Sequence, residues 1–402
     1  MNGRQDRGGK IGRHSSHPPF ILWYWAHVTR GEEQLEGETA VDHPEKQLEA
    51  LIAHHYGLFV RKVVPCSEGW HLTTNRGTFL LSRAGKRDGT YWDMVSRLLR
   101  HLRRRGVRQL PRLELTAEGK PLFSGFHSRY LLWSGGQLKS LNWHSLNTWA
   151  SVGRTLAHLH LASRDFTPRF TDGKYTVVGR WKMFWTQSYR MLETIGASCR
   201  LTGDPQSADR EWRRVHTYAA SMIETALRYF EAAGGDDAVQ QHAKYGIVGQ
   251  HDLTRRSWGG TLRGAVTLKT WDETVLDVRV RDIAHMLHLA YGTKTAFRDR
   301  VRVLLKHYQS VHPLSDAEWP LLYGRMLFPG PLVQTARDVY IRQTVSDSAA
   351  QKMLKRAACE LERREYHLRC LPRLLKETVG VSVPEIDWLK SSSITVHHPG
   401  HT

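Results

Sequence analysis

Hydrophobic and polar positions follow helical and strand-like periods in turn over the first third of the chain. The segment HPEKQLEALIAHHYG, beginning at His43, has a proline near its start, an acid in its first turn and Gly57 at its end, which predicts a helix. Next, LFVRKVVPCSEGWHLTTNRGTFLLSRA consists of short apolar runs rich in β-forming residues, with a turn indicated at Asn75-Arg76-Gly77. These patterns predict a helix followed by a meander of antiparallel strands.

A helical period returns at the Arg-rich segment, residues 96–112. Four apolar residues at helical spacing are predicted to face a core: Tyr91, Val95, Leu98 and Leu102. Four arginines are then predicted to project into solvent: Arg97, Arg100, Arg104 and Arg108. The segment LPRLELTAEGKPLFSGFHSRYLLWSGG predicts further short strands, so the Arg-rich helix is inserted within a small sheet.

From Asn142 onward the pattern is mainly helical. Helices are predicted over residues 146–163, over about 209–233, and again from 294 to about 376. Two pieces interrupt them, VGQHDLTRRSWGG and VTLKTWDETVLDVRVRDIAHML, which predict a loop, a turn at Trp258-Gly259-Gly260 and a short hairpin. This order predicts two lobes, a small sheet-containing one and a helical one.

Composition and charge narrow the classes of function. The chain has 402 residues, 40% of them hydrophobic and 24% charged, as in globular proteins, and no apolar run approaches the ~18 residues of a membrane span. Its 58 Lys+Arg against 39 Asp+Glu give a net charge of +19, which favours acidic protein surfaces, nucleotides or nucleic acid as partners, unless it is simply a solvated surface. No nucleic-acid-binding motif accompanies the arginines, so nucleic acid is not expected as a partner. The four cysteines contain no C-x-x-C pair, which argues against a zinc site or a disulfide framework.

Several segments taken together resemble the spore-coat kinase-like (CotS-type) family, a branch of the aminoglycoside-phosphotransferase-like fold. The resemblance covers residues 44–376 and rests on six segments: NRGTFLLSR, LPRLELTAEGKPLF, TLAHLHLAS, VLDVRVRDIAHML, HPLSDAEWPLLYGRMLFPG and ELERREYHLR. It implies an α+β, bilobal protein-kinase-like fold with a small antiparallel-sheet N-lobe and a mainly helical C-lobe. We predict a disordered tail at 1–42, the N-lobe at 43–136, the C-lobe at 137–390 and a flexible tail at 391–402.

Kinases of this kind use a loop resembling H-G-D-x-x-x-x-N and a strand ending in I-D, whose residues orient the acceptor and hold magnesium. By resemblance, Asp252 corresponds to the loop aspartate that orients the acceptor, and Ser257 stands where the asparagine would hold magnesium. Thr270 takes the position of the metal-binding aspartate, and Asp272 lies two residues later. A shift of two residues in this alignment would place Asp272 at the metal position.

The predicted phosphate-gripping position on the N-lobe carries Ser82 where a lysine is expected, with Arg83 beside it and Asp93 as a candidate for the acid that pairs with that lysine. A hydroxyl can ligate magnesium but contributes no negative charge. We therefore predict a degenerate kinase cleft without a cofactor. The alternative is an active ATP-dependent small-molecule or protein phosphotransferase that uses Mg-ATP.

The resemblance also implies a role in the spore coat. The protein would be made in the mother-cell cytoplasm and assemble by contacts with other spore-coat proteins, with the Arg-rich helix meeting acidic surfaces. Asp277, Arg281 and Asp282 are expected to pair with one another and with backbone amides. His158 and His160 are expected to be buried against the loop.

Overall fold

The first part of the chain forms an antiparallel sheet. The structure is a computed structural model that describes residues 45, 47–126, 128–135, 138–201, 207–251, 253–262, 264–343 and 345–391. Helix α1 (Leu48–Tyr56) ends at Gly57, whose φ of 63° lies in the left-handed region that glycine adopts without strain. Three strands follow as the predicted meander, β1 (Val60–Cys66), β2 (Gly69–Thr74) and β3 (Gly77–Arg83).

The inserted helix α2 (Gly89–Arg104) leads to β4 (Arg112–Leu113), β5 (Phe123–Ser124) and β6 (Arg129–Ser134), so the sheet order is β1-β2-β3-β6-β4, with β5 also paired to β6. Strand alternation divides the sheet into two apolar faces. Leu81 and Leu132 pack with α1, whereas Leu131 and Trp133 pack on the side of α2. The sheet is therefore covered by one helix on each face.

The second lobe is helical. Its helices are α3 (Leu146–Ala162), α4 (Trp181–Leu201), α5 (Ser207–Ala232), α6 (Gly235–His242), α7 (Val280–Leu289), α8 (Lys294–Gln309), α9 (Glu318–Leu327), α10 (Gly330–Ala336), α11 (Asp347–Val379) and α12 (Asp387–Ser391). Short 3-10 helices lie at Phe170–Tyr175, Ala243–Tyr245 and Arg255–Ser257, and a π-helix at Arg337–Arg342. Helix α3 packs against α8. Gly153 allows their close approach, because a Cβ at this position would lie 2.6 Å from the Leu304 carbonyl oxygen.

Four short strands lie within this lobe: β7 (Val248–Gln250), β8 (Trp258–Gly260), β9 (Val266–Leu268) and β10 (Thr274–Leu276). β7 pairs with β10, and β8 pairs with β9, both antiparallel. The prediction of a turn at Trp258-Gly259-Gly260 is therefore wrong, because these residues pair with β9 as a strand. The predicted α+β bilobal class is confirmed.

The Arg-rich helix α2 buries all four predicted core residues, but one of its arginines differs from prediction. Arg97 was expected in solvent, yet only 13% of its side chain is exposed. Its guanidinium reaches the buried Asp172 in the 3-10 helix Phe170–Tyr175 at 2.7 Å. Arg97 therefore ties α2 to the C-lobe, whereas Arg100 and Arg104 are exposed as predicted.

Candidate functional site

Two connecting segments of the C-lobe lie against each other between two short ladders. Because β7 pairs with β10 and β8 pairs with β9, residues 251–257 and residues 269–273 connect the same two ladders. The backbone N–H of Lys269 donates to the Ser257 carbonyl oxygen at 2.9 Å. The predicted acceptor loop and the predicted metal strand are thus neighbours in space.

Asp252, predicted to orient an acceptor, lies outside the described residues, and its role stays a prediction. Gln250, two residues before it, is held by the C-lobe: its N–H donates to Asp282 Oδ1 at 2.7 Å, and its carbonyl oxygen accepts from Arg281 Nε at 3.0 Å. His160 Nε2 lies 3.3 Å from Asp282 Oδ2. The start of the loop is therefore positioned by buried charged groups.

Ser257, at the predicted magnesium position, is buried and engaged in a local turn. Its Oγ accepts from the Thr254 N–H at 3.1 Å and lies 3.3 Å from Thr254 Oγ1. These contacts close the 3-10 turn Arg255–Ser257 in the manner of a capping box. The hydroxyl therefore organises the loop that carries it.

Thr270 and Asp272, the two alternatives for the metal-binding position, lie on either side of a buried tryptophan. Trp271 is 2% exposed, and its Nε1 donates to the Leu268 carbonyl oxygen at 3.3 Å. Thr270 is half-buried, and Asp272 is exposed. Which of the two corresponds to the metal position stays a prediction.

Ser82, at the predicted phosphate-gripping position, lies on β3 opposite Leu131 of β6. Its Oγ accepts a hydrogen bond from Trp133 Nε1 at 3.0 Å, and Trp92 of α2 contacts the Trp133 ring edge-to-face at 6.0 Å between centroids. The exposed Arg83 places its guanidinium 5.4 Å from the centroid of the Trp70 ring. An indole N–H thus engages the Ser82 hydroxyl at the position where the resemblance would have a lysine.

Asp93, the candidate partner for that missing lysine, faces a different network. Its carboxylate accepts from Arg97 Nε at 3.0 Å and pairs with Arg169 at 3.2 Å. Both arginines belong to the junction of α2 with the 3-10 helix Phe170–Tyr175 and the residue before it, so Asp93 helps to join the lobes.

An ion pair crosses from the first hairpin of the N-lobe to the predicted metal strand, and the sequence analysis did not anticipate it. Lys269 Nζ lies 2.6 Å from Oε1 of Glu68, which occupies the turn between β1 and β2. Burial alone would raise the pKa of Glu68, but hydrogen bonds from Lys269 and Ser67 outweigh it and lower that pKa. The partners are 201 residues apart, so no local pattern indicates the contact.

A second set of contacts joins the start of α2 to the same strand. Arg87 pairs with Glu273 at 3.1 Å, and its Nε donates to the Asp272 carbonyl oxygen at 2.8 Å. The Tyr91 hydroxyl donates to the Trp271 carbonyl oxygen at 2.7 Å and accepts from the Thr274 N–H at 2.8 Å. Burial raises the pKa of Tyr91 well above its ordinary value, so the hydroxyl keeps its proton. Both lobes therefore hold the predicted metal strand.

The charged residues after that strand behave as predicted. Arg281 pairs with Asp277 at 2.8 Å with both side chains fully buried, and Trp181 Nε1 donates to the same carboxylate. His160 is buried as expected, but His158 is exposed. The segment therefore stabilises the C-lobe.

Among the described residues, no three His, Cys, Asp or Glu side chains cluster as ligands of a metal ion would. No helix in the described part of the chain is long and apolar enough to cross a membrane. All four cysteines are free thiols.

Solved structures of small-molecule kinases share this architecture. An aminoglycoside phosphotransferase from Alicyclobacillus acidocaldarius superposes with a TM-score of 0.63 at 14% identity, covering 80% of this chain and 93% of that one. The AMP-bound spectinomycin phosphotransferase gives 0.56 at 12% identity, over 77% and 94% of the two chains. At such identities the likeness establishes the class of fold, a bilobal kinase-like fold of the aminoglycoside-phosphotransferase type.

The family is more specific than the fold. The family described as "Spore coat putative kinase YutH" matches residues 49–371, and the chain belongs to it. A curated relative, the endospore coat-associated protein YutH of Bacillus subtilis (strain 168), is 23% identical over 245 residues, 60% of this chain and 70% of its own length. The predicted membership in a spore-coat kinase-like family is confirmed; the narrower CotS type stays a prediction.

Proposed function

We propose that this chain is a spore-coat protein whose kinase-like cleft is degenerate and that it acts through protein–protein contacts in coat assembly. The observation that carries the proposal is the Lys269–Glu68 ion pair, which joins the N-lobe hairpin turn to the strand predicted to hold metal. In kinases the turn of this hairpin covers the nucleotide phosphates. A carboxylate in that turn repels phosphate. Its ion pair with Lys269 fixes the turn against the predicted metal strand.

The groups at the predicted catalytic positions support the same proposal. Ser82 brings no positive charge to a phosphate, and its hydroxyl already accepts from Trp133. Ser257 and Thr270 bring no negative charge to magnesium, and the Ser257 hydroxyl is engaged within its turn. Ser82, Ser257 and Thr270 therefore do not fit Mg-ATP, and we derive no phosphoryl-transfer step from them. On this proposal the protein needs no nucleotide or metal cofactor.

The coat role rests on family membership and on the name of the relative, an endospore coat-associated protein. With a net charge of +19, the surface favours acidic partner surfaces over basic ones. We propose other coat proteins as these partners and the spore coat as the location.

Thermal unfolding in the presence of nucleotide tests the degenerate cleft. A competent site offered Mg-ATP at about 100 times its Kd would gain about 2.7 kcal/mol, a shift of a few degrees in Tm. We expect no such shift at millimolar Mg-ATP. ATP without magnesium is the control, because arginines on the surface attract any polyanion.

The second candidate function is an active ATP-dependent phosphotransferase, and the position of Asp272 favours it. Asp272 is an exposed carboxylate two residues after Thr270. The next acid along the strand, Glu273, pairs with Arg87. A magnesium-dependent Tm shift that disappears in Asp272→Ala would establish this alternative and refute the degenerate cleft.

A further inference from the structure

The segment that connects α3 to α4 runs along α2 from the last turn of that helix back to its N-cap. We call this segment, residues 163–177, the strap. Near the end of α2, the Phe166 ring contacts His101 with ring centroids 5.7 Å apart. At the beginning of α2, the Tyr175 hydroxyl donates to the N-cap residue Asp88 at 2.6 Å. The strap therefore follows an N-lobe helix along its length, although its two neighbours in sequence are C-lobe helices.

A closed ring of four charged residues joins the middle of α2 to the strap. Arg97 donates to both carboxylate oxygens of Asp172, at 2.7 and 2.8 Å, and to Asp93 of its own helix at 3.0 Å. Arg169 completes the ring, because its side chain pairs with Asp93 at 3.2 Å and its backbone N–H donates to Asp172 at 2.7 Å. Asp172 is 1% exposed, so separation of α2 from the strap would leave a buried carboxylate without its cation.

The N-cap of α2 is a second anchor of the strap. Asp88 accepts from the Tyr91 backbone N–H at 2.9 Å, which caps the helix, and also pairs with Lys174 at 2.6 Å and accepts from Tyr175. Burial alone would raise the pKa of Asp88, but the hydrogen bonds from Lys174, Tyr175 and the Tyr91 backbone outweigh it and lower that pKa. One charged carboxylate therefore both starts the helix and binds the strap.

The last residues of the strap are bonded to β10. The Val177 N–H donates to the Leu276 carbonyl oxygen at 2.9 Å, and Thr176 forms a parallel bridge with Leu276. β10 is also held by α2 itself, because the Tyr91 hydroxyl accepts from the Thr274 N–H. Helix α2, the strap and β10 thus form a closed triangle in which each contacts the other two. Helix α2 cannot leave the C-lobe without breaking both of its sides of this triangle.

We propose that the strap is a conformational lock that couples α2 to the C-lobe, so that the two lobes fold as one unit and the cleft keeps one shape. Segments that share buried contacts open together, whereas segments joined by few contacts open separately. The lock does not depend on the proposed loss of nucleotide binding, since none of its contacts involves Ser82, Ser257 or Thr270.

Pulsed hydrogen exchange of the full-length protein at increasing urea concentrations tests the lock, because it reports separately when α2 and α7 unfold. In the wild type we expect α2 and α7 to lose protection at the same urea midpoint. Asp172→Asn keeps the size of the side chain and leaves Arg97 paired with Asp93. In this variant we expect α2 to lose protection at a urea concentration at least about 0.5 M below that of α7.

A second variant tests the other anchor. Asp88→Asn preserves the cap, because asparagine caps helices as well as aspartate does, but it removes the charge that pairs with Lys174. We expect it to separate the midpoints of α2 and α7 in the same direction. It also serves as the test if Asp172→Asn does not fold.

The matched control is Asp165→Asn, in the same strap and with the same change in net charge. Asp165 pairs with Arg105 at the C-cap of α2, and the two side chains are 67% and 50% exposed. An exposed pair contributes little, so the midpoints of α2 and α7 should stay together in this variant.

Three outcomes would overturn the proposal. A lower midpoint for α2 than for α7 in the wild type would mean that the lobes are not coupled. Equal shifts of both midpoints in Asp172→Asn and Asp88→Asn would mean that the strap adds stability without coupling the lobes. A separation of the same size in Asp165→Asn would mean that loss of any negative charge near α2 has this effect.

Discussion

The interior of the C-lobe and the cleft between the lobes both contain close ion pairs, but the two pairs lie in different surroundings. Arg279 and Glu318 are 2.6 Å apart with side chains 1% and 0% exposed, whereas Lys269 and Glu68 are equally close but 23% and 42% exposed. A buried ion without its partner is costly, while a partly solvated ion loses little. Loss of one partner of the first pair should therefore be costly to stability, whereas the second pair mainly determines how the hairpin lies on the cleft.

The kinase-like sequence pattern also differs between the C-lobe interior and the cleft: its structural residues are present in the interior, and its phosphate and metal positions carry other residue types in the cleft. Asp277, Arg281 and Asp282 keep every expected structural contact in the C-lobe. The predicted phosphate and metal positions carry hydroxyl groups. Such a division is the one expected if the proposed degenerate cleft is correct.

The largest expected effect comes from breaking the buried pair. Glu318→Ala leaves Arg279 charged and fully buried, and removes the acceptor of the Ser315 N–H as well. Loss of one partner of a buried ion pair costs about 3–5 kcal/mol. Urea unfolding should show this decrease in the free energy of unfolding.

The control for that prediction is an exposed pair of similar length. Glu377 lies 2.8 Å from Arg373, whose side chain is 86% exposed. Glu377→Ala should leave the urea midpoint almost unchanged. Equal effects of the two substitutions would remove the distinction between interior and surface pairs.

The next effect in size concerns the link between α2 and the predicted metal strand. Tyr91→Phe removes the acceptor of the buried Thr274 N–H, whereas the Trp271 carbonyl oxygen keeps the Thr274 hydroxyl as a donor. One unsatisfied buried donor costs about 1–3 kcal/mol, to be measured by urea unfolding. Tyr189→Phe removes a hydroxyl that has no hydrogen bond to any described residue, so it should have little effect. An equally small effect of Tyr91→Phe would show that the link is dispensable.

The sequence predicts local features of this fold better than its long-range contacts. The turn between β2 and β3 and the buried face of α2 follow from residues a few positions apart, because turns and helical faces are local. Arg97 was misjudged because its partner, Asp172, lies 75 residues away. The strand at Trp258–Gly260 was taken for a turn because its glycines are turn-forming residues, and only pairing with β9 reveals it.

The candidate site was predictable to a similar extent. Family resemblance identified Ser82, Ser257 and Thr270 as the positions to inspect. It contained nothing about Glu68 and Lys269, because an ion pair across the cleft depends on how two lobes meet. The residue types at the aligned positions therefore indicated which charged groups are replaced in the cleft. They did not indicate which residues form the ion pair across it.

A smaller effect is expected from the pair across the cleft. Glu68→Gln should lower the free energy of unfolding by about 0.2–1 kcal/mol near neutral pH, since the pair is partly exposed. The pKa of Glu68 is lowered in the folded state, so its contribution is present above its ordinary value of 4.5 and is lost as the pH falls through the folded pKa. The difference between wild type and Glu68→Gln should therefore shrink at acidic pH. A difference that is constant from pH 7 to pH 3 would show that the carboxylate charge does not stabilise the cleft.

The smallest effect on stability is expected at the exposed arginines of α2. The double variant Arg100→Glu, Arg104→Glu should change the free energy of unfolding by no more than about 0.5 kcal/mol, because both side chains lie in solvent. Arg97→Gln is the matched substitution on the same helix, and it should cost more, because it leaves Asp172, 1% exposed, without its cation. Urea unfolding of both variants measures the difference. If the double variant were the less stable of the two, the exposed face of α2 would be structural, and its arginines would no longer be available as a contact surface for acidic partners.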